Sequence, residues 1–439
     1  MTATVTTASS DRGDLAEFGY EQQLHRSLGK FGSFAAGFSF VSILTTIFQL
    51  FGLGFGFAGP AFFWTWPVVF LGQFIVALCF AELAARYPIS GAIYQWSRRL
   101  GGEIVGWFAG WFMIIAQIVT AAAAAIALQV VLPSIWGGFQ VIGDDSALTS
   151  PSGAANAVLL GSVLLVSTTT INCIGVNWMS RINSIGVTCE IVGVVAVIGM
   201  FFTHAQRGPD VVFDTGAAGS QPGYIWAWGL PYVLTSILSS PWGTVLLVDV
   251  AIAVFVCTLA IQTAASRLMF SMARDGRLPA SDVLSKVNRR TGTPIAPSVL
   301  IGLLCIGVLA VNVGNSAIFA TLSSVCIVLI YLAYLMVTVP LLVRRLSGRP
   351  LGGPDVDAEG RELFSLGVFG IPVNVAAVAY GALMVVNLSW PRAEIFNPTG
   401  EYPILQWAAP LTVLAVVIAG AACYSSRAER VPNPVTIGA

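Results

Sequence analysis

The sequence predicts an all-α, polytopic integral membrane helix bundle of about ten transmembrane helices. Three observations carry that prediction. The 439-residue chain is 56% hydrophobic and only 10% charged, whereas a soluble domain has about 25% charged residues. Its mean hydropathy is +0.82. Ten apolar runs reach the roughly 20 residues that a helix needs to cross hydrocarbon, at 31–55, 63–85, 104–132, 155–174, 180–203, 243–272, 297–316, 318–343, 366–389 and 404–424.

Positive charge orients the runs. With the N-terminus in the cytoplasm, all Lys and Arg residues except Arg207 and Arg392 fall in inner segments, as cytoplasmic loops require. Both termini are then inside and the number of spans is even. Residues 1–30 form a cytoplasmic N-terminal segment, 31–424 one transmembrane domain, and 425–439 a cytoplasmic tail. Residues 1–30 are polar with no apolar core, so the first span is expected to act as the insertion signal. Net charge is zero, which points to no nucleic-acid partner.

The first span runs FGSFAAGFSFVSILTTIFQLFGLGFGFAG from Phe31 to Gly59. Ser39, Ser42, Thr45 and Thr46 fall at three- and four-residue steps and share one face. Lipid cannot satisfy hydroxyls, so that face looks at protein or at a wet cavity. Close packing by small residues explains it. So does a helix that breaks near Ile43–Ile47 and frees backbone groups for a small polar solute.

The second span ends with Glu82 and Arg86, an i, i+4 pair. Pro88 and Gly91 then interrupt the helix. Gly101, Gly102 and Gly106 open the third span, where Trp107 and Trp111 are expected as interface anchors. The third span carries Gln117 and Thr120. The fifth carries Glu190, either a proton carrier or a hydrogen-bonded structural acid. An outer connection, 204–242, includes the aromatic stretch Tyr224–Leu238, expected to be re-entrant or interfacial. The sixth span carries Asp249, read first as a structural acid, and Cys257, Thr258 and Gln262, read mainly as glue between helices. Gly276 can cap its far end and Pro279 stops its continuation.

The seven cysteines sit in or beside apolar runs without a CxxC pair, so they read as small buried hydrophobes. Both histidines, His25 and His204, lie in loops. No metal, cofactor or catalytic constellation is legible, and the absence of a P-loop argues against an ATP-driven pump. An intramembrane enzyme has no motif to support it.

Several motifs stand in order on the expected cytoplasmic side: Gly19-Tyr20-Glu21-Gln22-Gln23-Leu24 with Arg26-Ser27-Leu28, Glu82-Leu83-Ala84-Ala85-Arg86-Tyr87-Pro88 with Gly91, Gly106-Trp107, Ser266-Arg267, and Ala273-Arg274-Asp275-Gly276-Arg277-Leu278-Pro279 with Thr293-Pro294. With them the chain resembles the amino acid–polyamine–organocation permease superfamily over about residues 18–345, most of all its amino acid/choline transporter branch. The resemblance implies a LeuT-like inverted-repeat fold, its first repeat at 31–203 and its remaining spans at 243–424. It implies a secondary transporter of the plasma membrane for amino acids, amines or choline-like solutes, with the first and third spans moving against the 243–343 bundle. The family writes its first helix break as Gly-Ser-Gly; by resemblance that point is Leu44-Thr45-Thr46. Substrate contact is thus expected at Ser42, Leu44, Thr45 and Thr46, with Gln117 nearby, and proton coupling at Glu190. The family's sixth and seventh helices have no counterpart between Phe202 and Gly229. A truncated, non-transporting permease-like protein is therefore the alternative.

Overall fold

The computed structural model describes residues 29–148, 150–204, 208–213, 240–311, 317–356, 360–391 and 403–428. Its helices are α1 (Lys30–Val41), α2 (Ile43–Ala58), α3 (Thr65–Arg86), α4 (Ala92–Gly101), α5 (Glu103–Ile135), α6 (Pro151–Ile174), α7 (Val176–Thr203), α8 (Ser240–Arg274), α9 (Ile295–Ala310), α10 (Ala317–Leu346), α11 (Gly370–Ser389) and α12 (Ala408–Ala428). Each of the ten expected spans is mainly helical over its described residues. Among the described residues nine helical segments are long and apolar enough to cross a bilayer, and Ile295–Ala310 is a shorter apolar tenth. The stretch Tyr224–Leu238 and the segments 1–28 and 429–439 lie outside the described residues.

The bundle is built around α5. It is 83% buried along its apolar window, against 11% for α12 and 28% for α3. Its neighbours are α4, α6, α8, α9 and α10. The run Ala121–Ala125 makes this possible. Lipid is as apolar as leucine, so helices associate where small side chains let backbones close up. Several hydroxyls inside the spans are satisfied by their own helices. Thr120 donates to Ala116 O, Thr258 to Val254 O and Thr338 to Tyr334 O, at 2.7, 2.8 and 3.1 Å.

Two local expectations are corrected. Glu82 and Arg86 do not pair with each other. Glu82 takes Arg345 of α10 and Arg86 takes Asp355, because a distant cation and a distant anion are brought to the same helix end. Trp107 and Trp111 are not interface anchors. Trp107 is 1% exposed and donates to Arg277 O at 2.9 Å, while Trp111 donates to Val416 O at 2.9 Å. Both rings point inward, where each indole N–H finds a carbonyl.

The basic end of the bundle is tied by charge. Asp275, beyond the end of α8, accepts from Arg98 at 2.7 Å, Tyr94 at 3.0 Å and Gln95 at 3.1 Å, all on α4. Arg98 and Arg277 both also hold Glu103, at 2.8 and 2.6 Å. Gly91 starts α4 at φ 94, and a Cβ there would meet Ser271 Oγ at 2.3 Å. Burial, and then the charge of Asp275, push the Tyr94 phenol above its ordinary value.

Candidate functional site

The first span is broken. Ser42 separates α1 from α2 with φ 42 and ψ 107, a conformation a β-carbon disfavours by about 1–2 kcal/mol. The break thus stands at Ser42, just ahead of the expected Leu44-Thr45-Thr46, which forms the first turn of α2.

A break at mid-span frees N–H and C=O groups that hydrocarbon cannot satisfy. Side chains satisfy them here. Glu190 of α7 supplies the principal acceptor. Its Oε1 lies 2.8 Å from Ser42 Oγ and 3.1 Å from the Leu44 N. A carboxylate at the first N–H groups of α2 complements the positive end of that helix. Ser42 Oγ also accepts from the Thr45 N–H at 3.3 Å and lies 2.7 Å from Thr45 Oγ1. Across the gap, Thr46 Oγ1 lies 2.9 Å from both Val41 O and Ser42 O. The Cys257 thiol of α8 faces Phe40 O at 3.9 Å.

The expected site residues therefore divide. Ser42, Leu44, Thr45, Thr46 and Glu190 meet at one point between α1, α2, α7 and α8. Ser42 and Glu190 are fully buried, and Leu44 and Thr45 are each 3% exposed, so the break is closed over in this conformation. Gln117 is buried on α5 with its Oε1 lacking a partner, and no hydrogen bond between it and the break is among those described.

Sequence reasoning missed the glycines that assemble this point. Asn183, Gly186, Glu190 and Gly193 are all buried on one face of α7. A Cβ at Gly186 would come within 2.3 Å of Val256, and one at Gly193 within 1.6 Å of Asp249 Oδ2. Both glycines let α8 close on to α7. They bring Asp249 within a helical turn of Glu190, where the expected structural acid has an Oδ2 with no partner. Glu190 Oε2 is likewise buried and unpartnered. The spacing Gly-x3-Glu-x2-Gly was the available signal. Among the described residues no group of His, Cys, Asp and Glu is placed to hold a metal, and all seven cysteines are free, four of them buried.

Comparison with known proteins adds to this geometry. The family model described as amino acid permease matches residues 28–238 and 229–418. The amino-acid permease BAT1 of Arabidopsis thaliana is 26% identical over 505 residues, covering 95% of this chain and 93% of its own. A BAT1 homologue of Oryza sativa is also 26% identical, over 86% of this chain and 87% of its own. The branched-chain amino acid permease BcaP of Bacillus subtilis is 28% identical over 191 residues, 42% of this chain and 41% of its own. The first alignment, at 505 residues, is at least 66 longer than the 439-residue chain.

Proposed function

The chain belongs to the amino acid permease family, and from that premise we propose that its solute and a coupling proton meet at the break between α1 and α2. The protein is a multi-pass membrane transporter for amino acids. Full-length relatives match nearly end to end, which does not favour a non-transporting remnant. The names of the relatives, amino-acid permease and branched-chain amino acid permease, direct attention to amino acids before amines or choline. The distribution of Lys and Arg supports a plasma-membrane orientation with both termini cytoplasmic.

One observation carries the mechanism. The N–H groups at the start of α2 already hold a carboxylate, that of Glu190. An amino acid brings a carboxylate of its own, and a helix N-terminus is a ready site for it. The two carboxylates cannot share the same N–H groups in a buried space without strong repulsion. A proton on Glu190 removes that conflict, because a neutral acid is the weaker acceptor and holds the break less firmly. Solute and proton then load together. Ser42, Thr45 and Thr46 keep the freed backbone satisfied while Glu190 withdraws. Asp249 lies close enough to receive or relay the proton.

The extra alignment length suits a missing helix pair, since 66 residues are about two spans and their loops, and the family model's two matches meet at 229–238, beside the interval that starts at Phe202. On this reading the solute is held mainly from the α1–α2 side.

Purified protein in liposomes tests the function. Labelled leucine, valine and a panel of other amino acids should enter faster than into empty vesicles when the outside is acid. Uptake equal to that of empty vesicles, together with a melting midpoint that no amino acid shifts, would remove the proposal.

A further inference from the structure

The contact between α7 and α8 repeats. Gly193 meets Asp249 and Gly186 meets Val256, where a Cβ would come within 1.6 and 2.3 Å. Thr263 Oγ1 lies 3.1 Å from Met179 Sδ. Each step is seven residues on both helices, two turns or about 10.5 Å, so the helices run antiparallel in a fixed register. Glu190 stands three residues before Gly193. Asn183 stands three residues before Gly186, at the equivalent place in the next interval and on the same buried face of α7.

The third side of this seam is α1. Ser42 reaches Glu190 and Phe40 O faces Cys257, so earlier residues of α1 lie nearer the basic end of the bundle. Ser39, one turn before Ser42, falls in height between Glu190 and Asn183. Ser39 and Asn183 are 0 and 2% exposed. Among the described residues Ser39 Oγ and Asn183 Oδ1 have no hydrogen-bond partner, and the same is true of Glu190 Oε2 and Asp249 Oδ2 farther along. Nearer the basic end, Thr263 donates to Asn172 Oδ1 of α6 at 2.6 Å. Asn172, Met179 and Thr263 line a small pocket there with Arg267, which has room for about one water.

Proteins meet the cost of an enclosed oxygen without a donor by binding water. Apolar residues would spare that cost, so oxygens at these heights have another use. A hydroxyl can accept one proton and release another, and an amide oxygen can hold a water that does the same. From Asp249 to Thr263 the polar groups extend over about 21 Å of α8, against a hydrocarbon thickness of about 30 Å. Buried Val256 and Leu259 flank the seam, which leaves no width for an amino acid.

We propose that this seam is the route by which the proton leaves Glu190 for the basic end, with Ser39 and Asn183 holding the waters that relay it. The proposal rests on the reading of Glu190 as the coupling group. One proton is transferred. The Glu190 acid gives it to a water at Ser39 Oγ, that hydroxyl and the water at Asn183 each accept one proton and release another, and water at the basic end carries it off. Glu190 is left as the carboxylate that holds the Leu44 N–H.

Two measurements on the full-length protein test the route. In proteoliposomes, Asn183→Leu keeps the bulk of the side chain and removes its oxygen. Accumulation of labelled leucine driven by a pH gradient should fall at least about tenfold, while exchange of labelled for unlabelled leucine without a gradient survives. Asn183→Ser, which can still hold a water, should restore most of the accumulation. Ser39→Ala, a change that a helix tolerates, should act as Asn183→Leu does, so the test does not hang on the folding of one variant. The second measurement needs no transport. In detergent at acid pH, the Glu190 acid has an infrared carbonyl band identified by its loss in Glu190→Gln. With Asp249→Asn closing the other approach, heavy water should shift that band quickly. Adding Asn183→Leu or Ser39→Ala should slow the shift by roughly tenfold or more. Absence of the Glu190 acid band would remove the coupling reading and the route with it. With the band present, a shift as fast in both added variants as in Asp249→Asn alone overturns the route and leaves that reading standing.

Discussion

Glu190 holds the Leu44 N–H at the point proposed for the solute, so on that proposal one residue joins stability to transport. The variant Glu190→Gln keeps an oxygen for the Leu44 N–H but cannot change charge. Accumulation driven by a pH gradient should fall at least about tenfold, since the proton would no longer be carried. Exchange of labelled for unlabelled amino acid, with no gradient, should survive. A pH profile of uptake in proteoliposomes checks both, and gradient-driven accumulation at the wild-type level would exclude Glu190 as the coupling group. Gly193 is the second residue to test, because a methyl there would meet Asp249 Oδ2 at 1.6 Å. Gly193→Ala should push α8 off α7 and destabilise the protein by about 1–3 kcal/mol, the range for overpacking, read as a lower melting midpoint. Gly199, on the same helix, has open space around its would-be Cβ, so Gly199→Ala should be nearly silent. Sequence alone named most of this cluster. Hydroxyls at helical spacing and a carboxylate in an apolar run are each conspicuous. What it could not give is that they are one cluster, since Ser42 and Glu190 are 148 residues apart.

Elements were easier to read than their internal defects. All ten spans are legible because long apolar runs have few alternatives in a bilayer. The break was placed two residues late because its position is set by a partner on α7 and not by local propensity: no glycine marks it, and Ser42 holds positive φ under hydrogen bonds from elsewhere. The same reason explains Glu82, whose neighbour at i+4 loses to Arg345 of α10. At this scale the link between α4 and the end of α8 carries a prediction. Asp275 is 5% exposed and receives three side chains of α4. Asp275→Asn leaves Arg98 a weaker partner and should lower stability by about 3 kcal/mol, as breaking a buried pair does, with thermal melting as the measurement. Tyr94 gives the link a pH limit. Its phenol titrates higher in the folded protein than in the unfolded chain. Its contribution is therefore complete below about pH 10 and is lost progressively above it, as the unfolded chain gives up its proton first.

For the molecule as a whole, the packing separates a fixed part from a part free to move. The expectation that the third span moves with the first does not suit the packing: α5 is the most buried helix and joins α4, α6, α8 and α10 into one body. By contrast α1 is 33% buried in its apolar window with the start of α2, and its main contacts are to α7 and α8. On the proposed function, alternating access reduces to α1 and α2 swinging about Ser42, with Glu190 as the latch. Cys257 reports on that swing. It is 3% exposed and its thiol faces Phe40 O at the break, so a small maleimide reaches it only when α1 leaves α8. If the closed form dominates and the open form is a minor state of a few per cent, a transported amino acid at acid pH should raise the labelling rate of Cys257 by roughly tenfold. Cys305, fully buried on α9 in the fixed body, should show no change in the same sample. Peptide mass spectrometry separates the two sites in wild-type protein, so no variant has to fold. In Glu190→Gln, where the latch has no charge to release, Cys257 should label quickly at every pH. Equal protection of Cys257 and Cys305 with and without solute would mean that the break stays shut, and that the hinge is elsewhere in the bundle.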